Sequence, residues 1–408
     1  MARHAKKISQ GTAATEHLSA GILALCFPML EVKAILAECK CLAKRDRELP
    51  PAVMVFFVIA LNLFPGVEYQ GVLRWLLNGL RWLGGGSFTV CVKSSLTDAR
   101  KRLGSAPLRR IHESLARPLA NPKSRGSYWK GLHLVAIDGS TLALQDTEGN
   151  AATYGRPSNQ NGNGPWPLAR FVVLVEVGTH LIFEAVFGTY HDSEIPLARK
   201  LIKHLGSGML CLADRLFPGF ELWKEAAATG CALVWRAKTG LSLTHVKTLR
   251  DGSWLAHWHP DEKASRKRRE APHLVRVVEY KLHDKACPGR DEVYRLITTI
   301  LDPAAASAME LAALYPQRWE IELSIKETKV IIRRGSITLR SKHPQLVEQE
   351  FWGLLLAHYA VRKMMAQAAL ENDLNPDDLS YQRSMEIIKA RQAGPALPSP
   401  PKGKAAGS

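Results

Sequence analysis

Four polar side chains between Tyr315 and Lys329 have spacings that place them on one face of a helix. Arg318 follows Tyr315 by three residues, Glu322 follows Arg318 by four, and Lys329 follows Glu322 by seven. Side chains at these spacings lie one above another on a helix. A carboxylate between two cations and a phenol can hold a metal ion while its neighbours bind phosphate groups. The alternative is an amphipathic helix whose salt bridges contribute only a few tenths of a kcal/mol per pair.

Two aspartates upstream each follow a short apolar run that predicts a buried strand. Asp138 follows the run 133–137, and Gly139-Ser140-Thr141 after it would let the chain turn away. Asp214 follows the similar run 209–213. A carboxylate at the end of a buried strand is held rigidly, as a metal ligand must be. Considered alone, Asp138 could equally be a turn or capping residue.

The complete pattern Tyr-x-x-Arg-x-x-x-Glu-x-x-x-x-x-x-Lys resembles the signature of the DDE transposases of the insertion-sequence 4 family. In that family the Glu is the third catalytic carboxylate. Asp214 followed by Arg215 also resembles the family's second-Asp motif, where the Arg is a further candidate for DNA binding. The resemblance implies three residues that are both catalytic and metal-binding: Asp138, Asp214 and Glu322.

Three carboxylates from separate elements suit the binding of two divalent ions to a phosphodiester, and oxygen ligands select Mg²⁺ or Mn²⁺ over zinc. Two such ions, about 3.5 to 4 Å apart, can activate the attacking oxygen and stabilise the departing one. The resemblance implies that Asp138 bridges both ions, and that the enzyme cuts and joins DNA in cut-and-paste transposition. Tyr315, Arg318 and Lys329 are then expected to bind phosphates beside the scissile one.

The elements that must position these carboxylates follow a defined order. Between residues 126 and 238, apolar and β-branched runs predict three strands, a helix, a strand, a helix and a strand. Asp138 ends the first strand and Asp214 ends the fourth. This is the element order of the ribonuclease H-like fold, an α/β fold with a mixed sheet in which the first and fourth strands are neighbours. The sequence therefore predicts that the two aspartates meet.

The chain between Asp214 and Glu322 is far longer than that fold requires, and its alternating apolar pattern predicts a mostly-β insertion at 239–303. Within it, Trp254 and Trp258 are four residues apart and would share one face of a strand. Flat apolar rings could hold a base extruded from distorted DNA. The resemblance supports a tryptophan with this role without fixing its position. The alternative is that both indoles pack in the insertion's own core.

Residues 1–125 are predicted to be helical and resemble the N-terminal domain of the same family. A basic helix carries Arg100, Lys101 and Arg102, and a short Gly-Ser-Ala-Pro turn leads into a second helix. This arrangement suits a helix-turn-helix-like DNA contact, although a bundle with solvated arginines is an equal alternative. The predicted domains are a helical DNA-binding domain at 1–125, the first part of the catalytic core at 126–238 and the mostly-β insertion at 239–303. The second part of the core follows at 304–390, and a disordered Pro-rich tail at 391–408.

Charge predicts the partner. With 55 Lys and Arg against 38 Asp and Glu, the 408-residue chain has a formal charge of +17, which attracts polyanions. By the resemblance, the partner is double-stranded DNA, both the terminal inverted repeats of the element and its target, and joining two ends implies a dimer in the DNA complex. No apolar run approaches the roughly 18 residues of a membrane span, and no secretory signal is evident, which predicts a cytoplasmic protein without membrane contact.

Two other functions remain open from the sequence. A ribonuclease H-like nuclease would use the same carboxylates but would not need the N-terminal domain or the insertion. A catalytically inactive, transposase-derived DNA-binding protein would have no reason to retain a costly cluster of like charges. A metal-dependent nicking assay on a DNA end would separate an enzyme from a binding protein.

Overall fold

The computed structural model describes residues 23–42, 49–82, 93–159, 162–238, 240–260, 270–281, 293–333 and 338–390. The predicted tail 391–408 and the basic run 263–269 lie outside these residues. The helices are α1 Met29–Glu38, α2 Pro51–Leu63, α3 Tyr69–Trp82, α4 Lys93–Leu103, α5 Ala106–Leu115, α6 Glu148–Tyr154, α7 Glu194–Arg199, α8 Phe220–Ala228, α9 Ala308–Leu314, α10 Trp319–Arg333, α11 Pro344–Glu371 and α12 Tyr381–Ala390. None of the described helices combines the length and apolarity needed to cross a bilayer.

The strands are β1 Tyr128–Trp129, β2 Leu132–Ala143, β3 Ser158–Asn159, β4 Gly162–Asn163, β5 Leu168–Glu176, β6 Leu181–Thr189, β7 Met209–Ala213, β8 Ala232–Arg236, β9 Leu243–Thr248, β10 Trp254–Trp258, β11 His273–Lys281 and β12 Val293–Thr298. Five of them form the predicted core in the order β6-β5-β2-β7-β8. β2 pairs antiparallel with β5 and parallel with β7, and β7 pairs parallel with β8. The ribonuclease H-like mixed sheet predicted from the sequence is confirmed.

The first core strand does not end at Asp138. β2 continues to Ala143 because β5 keeps pairing with it, from Gly139 opposite Val172 to Ala143 opposite Leu168. Only the parallel neighbour stops, since the last β2–β7 pair is Ile137 with Ala213. The prediction that the chain turns away after Asp138 was therefore wrong, and the aspartate lies where the strand loses one of its two neighbours.

The β-rich insertion extends the same sheet. β12 pairs antiparallel with β8, and the sheet continues through β11 and β10 to β9. This pairing satisfies the backbone hydrogen bonds on the outer side of β8. The strand is therefore an interior one, and its residues Val234 and Trp235 are fully buried. The boundaries drawn at 239 and 303 remain predictions, since the strands on either side of the first boundary belong to one sheet.

The N-terminal helices share a core with the catalytic part. In α2 every residue from Ala52 to Leu63 is buried, and a helix that is apolar on all sides must be covered on all sides. Helix α11 covers part of α2, and Gly353, which has no side chain, lets α11 approach α2 closely. A Cβ atom built on Gly353 would lie 2.7 Å from the Val58 side chain and 2.9 Å from the Val58 carbonyl oxygen.

Candidate active site

Strand pairing brings the two aspartates together. Because Ile137 pairs with Ala213 in parallel strands, the residues that follow, Asp138 and Asp214, project from neighbouring strands at the same level of the sheet. Each carboxylate is fixed by a nearby backbone N–H group. Gly139 N donates to Asp138 Oδ1 at 2.7 Å, and Leu216 N donates to Asp214 Oδ1 at 2.8 Å.

The third carboxylate, Glu322, comes from the first turn of α10, which packs against β2. Its side chain is partly exposed, and its Oε1 accepts a hydrogen bond from Arg318 Nη2 at 2.9 Å. Arg318 itself is only 8% exposed. A largely buried guanidinium therefore orients the glutamate while leaving its other oxygen free for a ligand.

The charges of the other two carboxylates influence the pKa of Asp138. Burial raises its pKa, the N–H of Gly139 lowers it, and the charges of Asp214 and Glu322 raise it further against the opposing effect of Arg318, giving a value of about 7. Three mutually repelling carboxylates with oxygen donors alone fit a divalent cation such as Mg²⁺ or Mn²⁺, which would neutralise them.

Tyr315 differs from its predicted position. A short 3₁₀ turn, Tyr315–Arg318, precedes α10, so the phenol does not continue the helical stripe. Pro316 lacks the N–H that a continuous helix would use. The tyrosine is 4% exposed, and its hydroxyl donates to the carbonyl of Ala213 at 3.3 Å. The predicted phosphate contact of Tyr315 is therefore corrected. Its hydroxyl instead supports the backbone of Ala213, the residue before Asp214.

Lys329 and Trp319 each contact a residue close to the triad in sequence. Lys329 Nζ donates to Ser140 Oγ at 2.8 Å, which places the ammonium over β2 two residues after Asp138. Trp319 is 57% exposed, and its ring centroid lies 5.1 Å from the guanidinium carbon of Arg318. Sequence reasoning overlooked this indole, although its place directly after Arg318 in the signature was a usable signal.

The three basic residues of α4 have different environments. Lys101 and Arg102 are exposed, whereas Arg100 is 1% exposed. Arg100 Nε donates to Gln349 Oε1 at 2.8 Å and Nη1 donates to the Tyr69 hydroxyl at 3.0 Å. The predicted DNA contact of Arg100 is therefore wrong in this structure, because packing of α4 against α11 buries the guanidinium. Arg215, beside Asp214, is exposed.

The two tryptophans of the insertion also differ. Trp258 is fully buried, and its ring lies 5.8 Å from that of Trp223 and 6.0 Å from that of Phe220, both on α8. It belongs to the core, so its predicted base-holding role is corrected. Trp254 is partly exposed and lies 5.6 Å from the ring of His245.

Four further carboxylates in the catalytic part of the chain have partners outside the triad. Glu194 pairs with Arg170 at 2.6 Å, and Asp192 accepts from the backbone of Thr189 at 2.6 Å. The remaining two lie away from the Asp138 cluster and face His180 and Arg362: Glu320 and Glu327.

Comparison with known proteins agrees with this geometry. Residues 17–113 match the family model "Insertion element 4 transposase N-terminal", and residues 129–360 match "Transposase DDE domain". The chain belongs to the insertion-sequence 4 family of DDE transposases. This transposase is 31% identical over 360 residues to the transposase InsG for insertion sequence element IS4 of Escherichia coli K12, covering 88% of this chain and 79% of the relative.

Two further proteins are similar to this transposase. The putative transposase InsZ of Escherichia coli K12 is 28% identical over 192 residues, covering 47% of this chain and 62% of the relative. A cryo-EM structure of the piggyBac transposase synaptic complex with hairpin DNA aligns with a TM-score of 0.45 at 12% identity, covering 92% of this chain and 82% of that one. The DDE domain match spans all three carboxylates and implies an enzyme that depends on divalent metal ions.

Proposed function

We propose that Asp138, Asp214 and Glu322 hold two Mg²⁺ ions with which this transposase cuts DNA at the ends of an insertion sequence and joins those ends to a target. The observation that carries the proposal is the convergence of the three carboxylates, which contributes to raising the Asp138 pKa to about 7. Bound ions would activate the attacking oxygen and stabilise the departing 3′ oxygen.

The chain's own groups keep the carboxylates in place for this chemistry. The N–H groups of Gly139 and Leu216 restrain the two aspartates, and Arg318 restrains Glu322. Tyr315 holds the end of β7 through the Ala213 carbonyl. Positions fixed before substrate arrives reduce the reorganisation required during the reaction.

DNA binding is assigned to exposed or partly exposed cations around this site and on α4. The formal charge of +17 favours polyanions in general. We assign phosphate contacts to Lys329, Arg215, Lys101 and Arg102, whereas the largely buried Arg318 is assigned to holding Glu322. The partners are the terminal inverted repeats and target DNA, bound by a dimer, and the location is cytoplasmic.

The decisive experiment replaces Glu322 with glutamine. This change keeps the shape and removes one ligand charge, so strand cleavage should fall by orders of magnitude, while binding to end DNA persists because phosphate contacts dominate affinity. Cleavage is followed on a labelled element end with Mg²⁺, and binding by gel shift. The control is Glu225→Gln, which removes a partly exposed glutamate on α8 that pairs with Arg199. Normal cleavage by Glu322→Gln would show that the site is assigned wrongly.

The same binding and cleavage assays distinguish this proposal from two alternative functions. A binding protein without activity would shift end DNA but never nick it. A ribonuclease H-like nuclease would nick DNA but would not join a pre-cut 3′-hydroxyl end to a second duplex. The proposal requires both nicking and joining, and both should be lost together in Glu322→Gln.

A further inference from the structure

A second group of potential metal ligands lies on the side of α10 away from Asp138. His180, in the turn between β5 and β6, directs its Nε2 atom at two carboxylates. Glu320 Oε2 lies 2.8 Å away and Asp377 Oδ1 lies 2.9 Å away. All three donor atoms fall within 4.8 Å of one another. They come from three separate parts of the chain: the hairpin turn, the first turn of α10, and the 3₁₀ turn Pro376–Asp378.

The burial of the imidazole distinguishes this group from an ordinary surface ion pair. His180 is 4% exposed, and its Nε2 atom is buried without a hydrogen-bond partner. Both carboxylate oxygens lie within hydrogen-bond distance of Nε2, although neither is aligned with a ring N–H. Burial lowers the pKa of His180, but the carboxylates of Asp377, Glu320 and Glu327 raise it overall to about 10, so a metal ion would have to displace a proton from the ring. A cation between Nε2 and the two oxygens would replace the ring proton and give the buried nitrogen a well-directed partner.

We propose that His180 Nε2, Glu320 Oε2 and Asp377 Oδ1 form a second metal site that takes a transition-metal ion, Zn²⁺ in particular. One imidazole with two carboxylates suits Zn²⁺, whereas the oxygen-only triad suits Mg²⁺. The Asp377 side chain is 36% exposed, so water can reach the fourth position. Metal bonds of about 2.0–2.2 Å require the ligand atoms to separate by a few tenths of an ångström from their present distances.

Glu327 supplies the outer support that a histidine ligand requires. When Nε2 binds a metal, the ring proton moves to Nδ1 and needs an acceptor, most often a carboxylate. Glu327 Oε1 lies 3.9 Å from Nδ1. Arg362 Nη2 now lies 2.6 Å from Nδ1 and also donates to Glu327. Metal binding therefore shifts Arg362 wholly onto Glu327 and lets Glu327 accept from the imidazole.

The site would join α10 to its surroundings directly behind the catalytic glutamate. Glu320 is two residues before Glu322 on the first turn of α10, and Asp377 follows α11. An ion that links them to the β5–β6 turn restrains the start of α10. This inference is independent of the proposed catalytic role, because none of its ligands belongs to the triad.

The test measures Zn²⁺ binding by the full chain, since Zn²⁺ uptake does not depend on transposition. The protein is dialysed against limiting Zn²⁺ in a large excess of Mg²⁺, and bound zinc is counted by mass spectrometry. Wild type should retain one Zn²⁺ per chain. Asp377→Asn removes a partly exposed ligand and should weaken the affinity by at least roughly tenfold. Zn²⁺ should raise the melting temperature of wild type more than that of Asp377→Asn.

Two controls make each outcome decisive. Asp373→Asn makes the same charge change four residues away, at a side chain that is 91% exposed, and Asp138→Asn removes a triad carboxylate. Both should bind Zn²⁺ as wild type does. The inference is overturned if wild type retains no Zn²⁺, which leaves a protonated, ion-paired His180. It is equally overturned if Asp377→Asn binds as wild type does, or if Asp138→Asn abolishes binding.

Discussion

At the scale of single residues, Asp138 couples the active site to pH. Its pKa in the folded chain is about 7 against an ordinary value of 3.8, so between these values the folded state holds a proton that the unfolded state has lost. The stability associated with that proton is fully present below the ordinary value and is lost as the pH rises through about 7. At about 1.4 kcal/mol per pKa unit, the loss amounts to a few kcal/mol.

We therefore expect the metal-free transposase to become less stable between about pH 4 and pH 7, and Asp138→Asn to remove most of this decline. Urea unfolding in the presence of a chelator measures it. Added Mg²⁺ should stabilise wild type more at pH 8 than at pH 6, because protons compete with the ion at the lower pH. Identical pH slopes for wild type and Asp138→Asn would contradict the assignment.

The tryptophans separate core packing from DNA contact. Trp258→Ala should cost about 3–5 kcal/mol of unfolding free energy, since a fully buried indole is removed. Trp319→Ala should leave stability nearly unchanged because the ring is 57% exposed. Because the exposed ring of Trp319 lies beside Arg318, we expect it to stack on a base, a contact of about 1–3 kcal/mol.

A 2-aminopurine near the cleaved end measures this difference. Its fluorescence in the complex should change with Trp319→Ala but not with Trp254→Ala, whose ring lies against His245 in the extended part of the sheet. If Trp254→Ala alone altered the signal, the original expectation for the insertion would hold in place of the one for Trp319.

At the scale of elements, α4 divides its basic residues by face. Arg100→Ala should destabilise the fold by at least about 1–3 kcal/mol, because Gln349 and Tyr69 lose a buried partner. Replacing Lys101 and Arg102 together should keep the melting temperature and reduce the salt dependence of end binding by roughly two units of slope, about one for each phosphate contact.

The matched comparison is thermal unfolding together with DNA binding at several salt concentrations. A double variant at Lys101 and Arg102 with an unchanged salt slope would favour the alternative of a solvated helical bundle. An Arg100→Ala protein as stable as wild type would contradict the buried contact between α4 and α11.

Strand order could be predicted from the sequence because alternation and apolar runs are local properties. The residue at which each strand pairing ends could not be predicted in this way. Asp138 lies within β2, not at its end, because β5 is long enough to pair beyond it. The 3₁₀ turn at Tyr315 was likewise missed, since spacing alone does not distinguish a continuous helix from a helix preceded by a tighter turn.

At the scale of the whole molecule, the N-terminal helices and the catalytic core should unfold together. Gly353→Ala forces a methyl group towards the Val58 carbonyl and should cost about 1–3 kcal/mol. Helix propensity alone favours alanine over glycine by about 0.5–1 kcal/mol, so any loss of stability reports the contact between α2 and α11. Calorimetry should show a single transition at a lower temperature. Two separate transitions in wild type would contradict a shared core.

The sequence by itself determined the ribonuclease H-like strand order and the basic charge and predicted the triad, because each depends on residue type and on spacing along the chain. Tertiary structure alone decided which of the remaining polar and aromatic residues are accessible. Arg100 meets Gln349, 249 residues away, and His180 meets Glu320 and Asp377 from two other elements. Burial depends on packing between distant segments, and no local pattern records which segments will meet.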